Sequence, residues 1–210
     1  MPRTFIVCLI IVLGSIDHLM AQGLGPARSA LRDGDIIFQR SRSGQSEAIA
    51  LATGSPWTHV GVLFLEKGEW QVLEAVGPVR TIPLEQWIAN GEGEKFVLKR
   101  LDPAHGKLDV EALSAMRRIG KKYLGRPYDE LFLWDEERLY CSELVWKVYS
   151  EGAGIQLCEP ATLRAFSLDH HVVKRTMQQR FGASIPWDGL VVAPSSLFNC
   201  PMLMSVSDGQ

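Results

Sequence analysis

Long apolar runs are scarce in this chain of 210 residues. The clearest, Phe5 to Leu13 (FIVCLIIVL), has nine residues, less than half of the roughly 20 that a bilayer-spanning helix needs. A polytopic membrane protein is thereby excluded. Cysteine is scarce too: there are four, with no C-x-x-C, which excludes a disulfide scaffold and speaks against a redox-active dithiol. Neither sign of charge dominates. Lys and Arg number 22 and Asp and Glu 24, a net charge of −2, so there is no electrostatic reason to expect nucleic acid as a partner. Internal repeats, charge blocks, low-complexity tracts and Pro/Gly/Ser-rich linkers are also missing. What is present, 46% hydrophobic and 22% charged residues, is neither a disordered nor a collagen-like composition. The length suits one domain with a sizeable core.

The Phe5–Leu13 run follows Arg3 and is ended by Gly14 and Ser15. That is the layout of a secretory signal. Residues 1–21 are read as that signal, with Ala21 as the cleavage point, and 22–210 as a single domain. The mature protein is then expected outside the cytoplasm, periplasmic or secreted, with no stable membrane anchor. Cleavage removes Cys8 and leaves Cys141, Cys158 and Cys200. The count is odd, so at least one thiol stays unpaired or intermolecular. Cys158 and Cys200 are one possible pair; Cys141 would then be the odd thiol.

Strand patterns come first along the chain. Asp35 to Arg40, His59 to Leu65 (HVGVLFL), Glu69 to Val76 (EWQVLEAV), Val79 to Ile82 and Phe96 to Arg100 read as strands, with short helices at Ser46 to Ala52 and Leu84 to Ala89. Helical spacing follows. Leu108 to Tyr123 would place Val110, Leu113, Met116 or Arg117, and Leu124 near one face. Gly125-Arg126-Pro127 ends that helix. Cys141 to Ser150 reads as a second long helix, and the remainder is less regular, with a helix at Val173 to Arg180. Strands early and helices late predict an α+β fold with an antiparallel sheet.

One constellation carries chemistry. Cys141 opens the helical segment YCSELVWKVYS. A thiol at a helix N-terminus meets the positive end of the macrodipole and free N–H groups, which favour the nucleophilic thiolate and can also hold an oxyanion. An inert buried cysteine is the competing reading. A nucleophilic thiol needs a base. His59, at the start of a strong strand, is better held than His105 in a Pro/Gly loop. His170-His171 follow Asp169, and a metal site there would need more ligands than the sequence places nearby. If Lys67-Gly68 is a two-residue hairpin loop, Glu66 faces Glu69 and His59 faces Val76. Glu74 then shares a sheet face with His59 as its diagonal neighbour. A carboxylate there would orient the imidazole and stabilise its charged form. The alternative is a solvent-facing Glu74.

The ordered set DGDIIF, SPWTHVGVLF, VLEAV, LGRPYD and YCSELVWKVY resembles the circularly permuted papain-like amidases of the NlpC superfamily, YiiX-like group. The likeness runs from about Leu31 to Tyr149 and more loosely through Val191 to Asn199. Histidine precedes cysteine, as in the permuted members. The resemblance implies a papain-like antiparallel sheet or partial barrel with the cysteine-bearing helix packed on it. It also implies Cys141 as nucleophile, His59 as base and Glu74 as the group that orients the histidine. Tyr140 would help line the oxyanion site, Trp57 and Thr58 would flank His59 near the mouth, and Asp35 and Asp129 would be structural. No metal or organic cofactor is implied. The expected activity is hydrolysis of an amide, such as a cell-wall peptide, through an acyl-enzyme. The rivals are acyl-lipid hydrolysis or transfer by the same triad, and a silent fatty-acid- or peptide-binding module.

Overall fold

The computed structural model describes residues 27–206. The expected signal at 1–21 lies outside them. Arg32–Ser207 is one compact unit. Of the other unit, the described residues form a single helical turn, α1 (Ala27–Ala30).

The compact unit is built on a six-stranded sheet: β1 (Ile36–Ser41), β2 (His59–Glu66), β3 (Glu69–Ala75), β4 (Val79–Pro83), β5 (Gly91–Leu101) and β8 (Leu203–Ser205). Their order is β4-β3-β2-β1-β5-β8, every pair antiparallel. Around it are α2 (Ser46–Thr53), α3 (Leu84–Ala89), α4 (Val110–Tyr123), α5 (Cys141–Ala153), α6 (His171–Phe181) and α7 (Pro194–Phe198). The strands β6 (Ala161–Thr162) and β7 (Leu190–Val191) make a separate two-stranded ladder. This is the α+β architecture the strand-then-helix pattern predicts.

The β2–β3 hairpin positions the site. Lys67 and Gly68 both have positive φ, 52° and 85°, as a two-residue turn matched to the strand twist requires. The register runs from Glu66↔Glu69 to Val62↔Leu73, as anticipated. Side chains alternate across a strand. Val60, Val62 and Phe64 enter one core with Leu144, Val145 and Val148 of α5. His59 belongs to the other face, where Trp87 of α3 stacks on it, ring centroids 5.7 Å apart. Gly61 has no room for more: a Cβ there would meet Val72 Cγ1 at 2.5 Å and the Leu73 carbonyl at 2.9 Å.

Helix α4 departs from expectation at both ends. It begins at Val110 because the Asp109 carboxylate caps it, accepting from the Ala112 N–H at 2.9 Å. Val110 therefore sits in the first turn, 78% exposed, and Leu124, past the last turn in extended backbone, is 44% exposed. The buried stripe is instead Met116, Gly120 and Tyr123, flanked by Leu113. Helices α4 and α5 pack closely at Gly152, where a Cβ would lie 2.6 Å from Met116 Cα. Strand β5 starts earlier than its apolar core suggests, because its first residue pairs with Ser41 beyond a register shift in β1. The edge strand β8 and helix α7 were not anticipated, being too short for either periodicity to register.

Candidate active site

Cys141 is the first residue of α5, with Tyr140 as N-cap in extended backbone. The helix starts there because the Tyr140 carbonyl accepts from Leu144 N–H at 3.0 Å. The first N–H groups of any helix lack intrahelical acceptors, so backbone donors cluster around the Cys141 side chain. Further along, Glu143 is buried and paired with Lys147, Oε1 to Nζ 3.0 Å; burial, against that lysine, pushes its carboxyl up to about 8.

His59, at the start of β2, is 6% exposed. Its Nε2 lies 2.6 Å from Glu74 Oε2, and the ring shares the polar cavity with Cys141, whose side chain helps to raise the imidazole. Glu74 is 2% exposed, so the solvent-facing alternative is corrected. Its second oxygen accepts from Arg80 Nε at 2.9 Å and lies 2.8 Å from the same guanidinium's terminal nitrogen. Glu74 and Arg80 are direct partners across the β3–β4 ladder. The result is a linear chain, His59–Glu74–Arg80, with Cys141 at its imidazole end on the shared cavity.

Burial is the largest single influence on His59 and disfavours its charge. The hydrogen bonds and charges of Cys141 and Glu74 together outweigh it and raise the imidazole to about 9. Glu74 behaves in the opposite sense. Burial pushes its carboxyl up, but His59 and then Arg80 hold it below the ordinary value. The imidazole is therefore set to be protonated at neutral pH, beside a sulfur and above an ionised carboxylate.

The remaining expected residues are distributed around this chain. Thr58 is buried, its hydroxyl 2.7 Å from Ser46 Oγ and accepting from the Ser41 N–H at 3.0 Å. It anchors the start of β2 and lines the polar cleft beside His59. Trp57 does not flank the mouth: it lines neither cavity at Cys141 and packs against Phe198 at 5.7 Å. It lies in the loop before β2, whose first strand residue is His59, so the strand does not fix its direction. The Tyr140 hydroxyl accepts from Val192 N–H at 3.1 Å, and its ring walls the apolar cavity. Asp35 clamps Arg100 through two 2.7 Å bonds and accepts from Arg32 N–H. Asp129 accepts from Leu131 N–H at 2.9 Å in the loop before α5. Both hold loops. Cys158 and Cys200 are free thiols.

Two cavities meet at Cys141. One, with about 700 Å³ of space partly open to solvent, is walled by apolar side chains including Ile49, Leu163, Phe166, Val173 and Met177. The other, about 840 Å³ and likewise partly open, is polar and holds His59, Thr58, Ser41, Ser43 and Glu130. Gln45, Tyr128, Cys141 and Arg180 border both. Arg80, Trp87, Gln45 and Arg180 were not singled out in the sequence. Arg80 could have been found by extending the hairpin parity across the Gly77-Pro78 turn. The others carry no local signal.

Comparison with known proteins settles the grouping. Residues 30–207 match the family described as permuted papain-like amidase enzyme, YaeF/YiiX, C92 family. The chain belongs to this family. It is 44% identical over 174 residues to the uncharacterized protein YiiX of Escherichia coli strain K12, covering 83% of this chain and 85% of that protein. It also superimposes on the crystal structure of YiiX from Escherichia coli O157:H7 with a TM-score of 0.80 at 44% identity, covering 84% of this chain and 96% of that one. Membership in the YaeF/YiiX family supports a hydrolase of the amidase or peptidase kind. The crystallised YiiX is described as a metalloprotein. Among the described residues here, no three His, Cys, Asp or Glu side chains gather as a metal site, and both Glu74 oxygens are engaged by His59 and Arg80. The described residues do not fit a metal ion.

Proposed function

We propose that this protein is a cysteine hydrolase that cleaves an amide through an acyl-enzyme on Cys141. The observation that carries this reading is the buried Cys141–His59–Glu74 chain opening onto two cavities of opposite character. As a thiolate, Cys141 Sγ attacks the carbonyl carbon. Backbone N–H groups at the start of α5 receive the oxyanion. The carbon–nitrogen bond breaks as His59 gives its proton to the departing nitrogen. Water then attacks the thioester with His59 as base, the carbon–sulfur bond breaks, and the proton lost by water returns the imidazole to its charged form. Glu74 keeps the ring oriented throughout, and Arg80 keeps Glu74 ionised.

The cavities bear on the substrate. His59 borders the polar one, so the leaving group belongs there, and the acyl group belongs in the apolar one. Those walls favour a hydrocarbon-rich acyl group over the charged peptides of a cell wall. An ester with the same acyl group would react by the same steps. The N-terminal apolar run supports a site of action outside the cytoplasm, where either substrate would be met.

The test sets an N-dodecanoyl amide beside a muropeptide, each with the wild type and Cys141→Ala. Cleavage of the acyl amide with a dodecanoyl adduct on Cys141 by mass spectrometry is expected. Muropeptide cleavage alone would overturn the acyl preference while keeping the hydrolase. Turnover surviving in Cys141→Ala would overturn the hydrolase reading itself.

A further inference from the structure

Arg180, near the end of α6, borders both cavities, as Cys141 does. Its guanidinium donates to Gln45 Oε1 and lies 4.8 Å from the centre of the Phe132 ring. Gln45 in turn donates to the Tyr128 hydroxyl at 2.9 Å, so the amide is oriented with its oxygen toward the arginine. Arg40, Arg80, Arg100, Arg117, Arg138 and Arg164 each have a carboxylate partner. Arg180 has a neutral amide and an aromatic face. Burial weighs against its charge, and Tyr128, Glu130 and Asp129 oppose that only through charge at longer range. A half-buried guanidinium without a counter-ion is costly to keep unless something charged completes it. Its planar fork is suited to two oxygens of one anion.

We propose that Arg180 is a specificity residue that receives a carboxylate or phosphate group of the substrate where it borders the two cavities. The preferred substrate is then an anionic amphiphile: hydrocarbon in the apolar cavity, reacting carbonyl at Cys141, and anionic oxygens on Arg180. This rests on the reading of Cys141 as nucleophile. It adds a charge requirement that the apolar walls alone do not impose.

The experiment uses two small alkylating reagents, anionic iodoacetate and neutral iodoacetamide, on the full chain, with labelling of Cys141 followed by mass spectrometry. The readout is the ratio of the two rates. Arg180→Gln is expected to lower the iodoacetate-to-iodoacetamide ratio about tenfold at low salt, the worth of one nearby charge in a partly shielded site. Arg180→Lys should keep most of the ratio, and Arg175→Gln, which removes the same charge from an exposed position on the same helix, should leave it unchanged. Arg180→Met is a second neutral replacement should the glutamine variant not fold. A ratio unaltered by loss of the Arg180 charge would overturn the proposal. Slow labelling of wild-type Cys141 by both reagents would instead overturn the nucleophile reading. Protection against iodoacetamide by decanoate, decyl phosphate and decanol then separates the sources. Stronger protection by one of the anions identifies carboxylate or phosphate; protection no better than decanol's overturns anion recognition.

Discussion

His59 and Glu74 are 15 residues apart in the chain, yet His59 Nε2 and Glu74 Oε2 lie 2.6 Å apart in a buried pocket of the β2–β3 hairpin. The pair works as a unit because the carboxylate cannot relax away. Arg80 fixes its other oxygen from the neighbouring strand, and Trp87 covers the imidazole. A rigid imidazolium beside a sulfur is what acyl transfer by a thiol needs.

Removing either reacting group should separate chemistry from folding. Cys141→Ala is expected to abolish turnover and leave thermal melting within a few degrees of wild type, since the thiol is a small side chain in a packed core. His59→Ala should lower kcat/KM by about 10²–10⁴-fold, the usual worth of a general acid–base. Steady-state kinetics on the acyl amide, alongside melting curves, checks both.

The pH profile should carry the signature of His59. With its imidazole raised to about 9, leaving-group protonation persists through neutral pH, and kcat/KM falls as pH rises through about 9. Glu74→Gln removes an interaction that raises the imidazole, so this alkaline limb should move to lower pH. The sign for stability is the same. A histidine raised in the folded state stabilises fully below its unfolded value of about 6.5 and loses that contribution as pH rises through about 9. Glu74, held low, stabilises above its unfolded value and loses its contribution as pH falls through the lowered one. An alkaline limb that stays in place in Glu74→Gln would contradict the link between them.

In the proposed mechanism Arg80 acts through Glu74, its partner across the β3–β4 ladder. It is 42% exposed, so Arg80→Ala should cost about 1 kcal/mol of stability or less. The activity loss should be smaller than for Glu74→Gln, with the alkaline limb shifted in the same direction. Arg80→Lys should recover part of the shift. Urea unfolding and the pH profile together test this; a large loss of stability with no change in the profile would make Arg80 structural only.

Gly152→Ala sets two effects of opposite sign against each other. Alanine gains about 1 kcal/mol over glycine within a helix. Its Cβ would meet Met116 Cα at 2.6 Å and Met116 N at 2.8 Å, backbone atoms that cannot turn aside. Separating α4 from α5 should cost about 1–3 kcal/mol beyond that gain, measured as a lower urea midpoint. A midpoint at or above wild type would show that the two helices are free to shift.

Much of the site was legible because it depends on short-range rules. A two-residue turn sets the parity of a hairpin, and parity alone puts His59 and Glu74 on one face. A cysteine before an apolar helical run marks a helix N-terminus. The errors also have local causes. Val110 and Leu124 carry the right period for α4, but the Asp109 cap and the extended backbone at Leu124 leave both outside the packed turns. Trp57 lies two residues before His59, but in the loop ahead of β2, where no strand periodicity sets its direction and packing against Phe198 does.

What the amino-acid sequence determined by itself was the α+β order, the hairpin register and the identities of Cys141, His59 and Glu74, because turn geometry and side-chain periodicity act over a few residues. Only the tertiary structure decided that Cys141 shares a cavity with His59, 82 positions away by their numbering, that Arg80 completes the chain, and that Arg180 from α6 borders both cavities. Those meetings follow from how α5 and α6 pack against the rest of the unit, and no local pattern encodes the direction in which a helix returns.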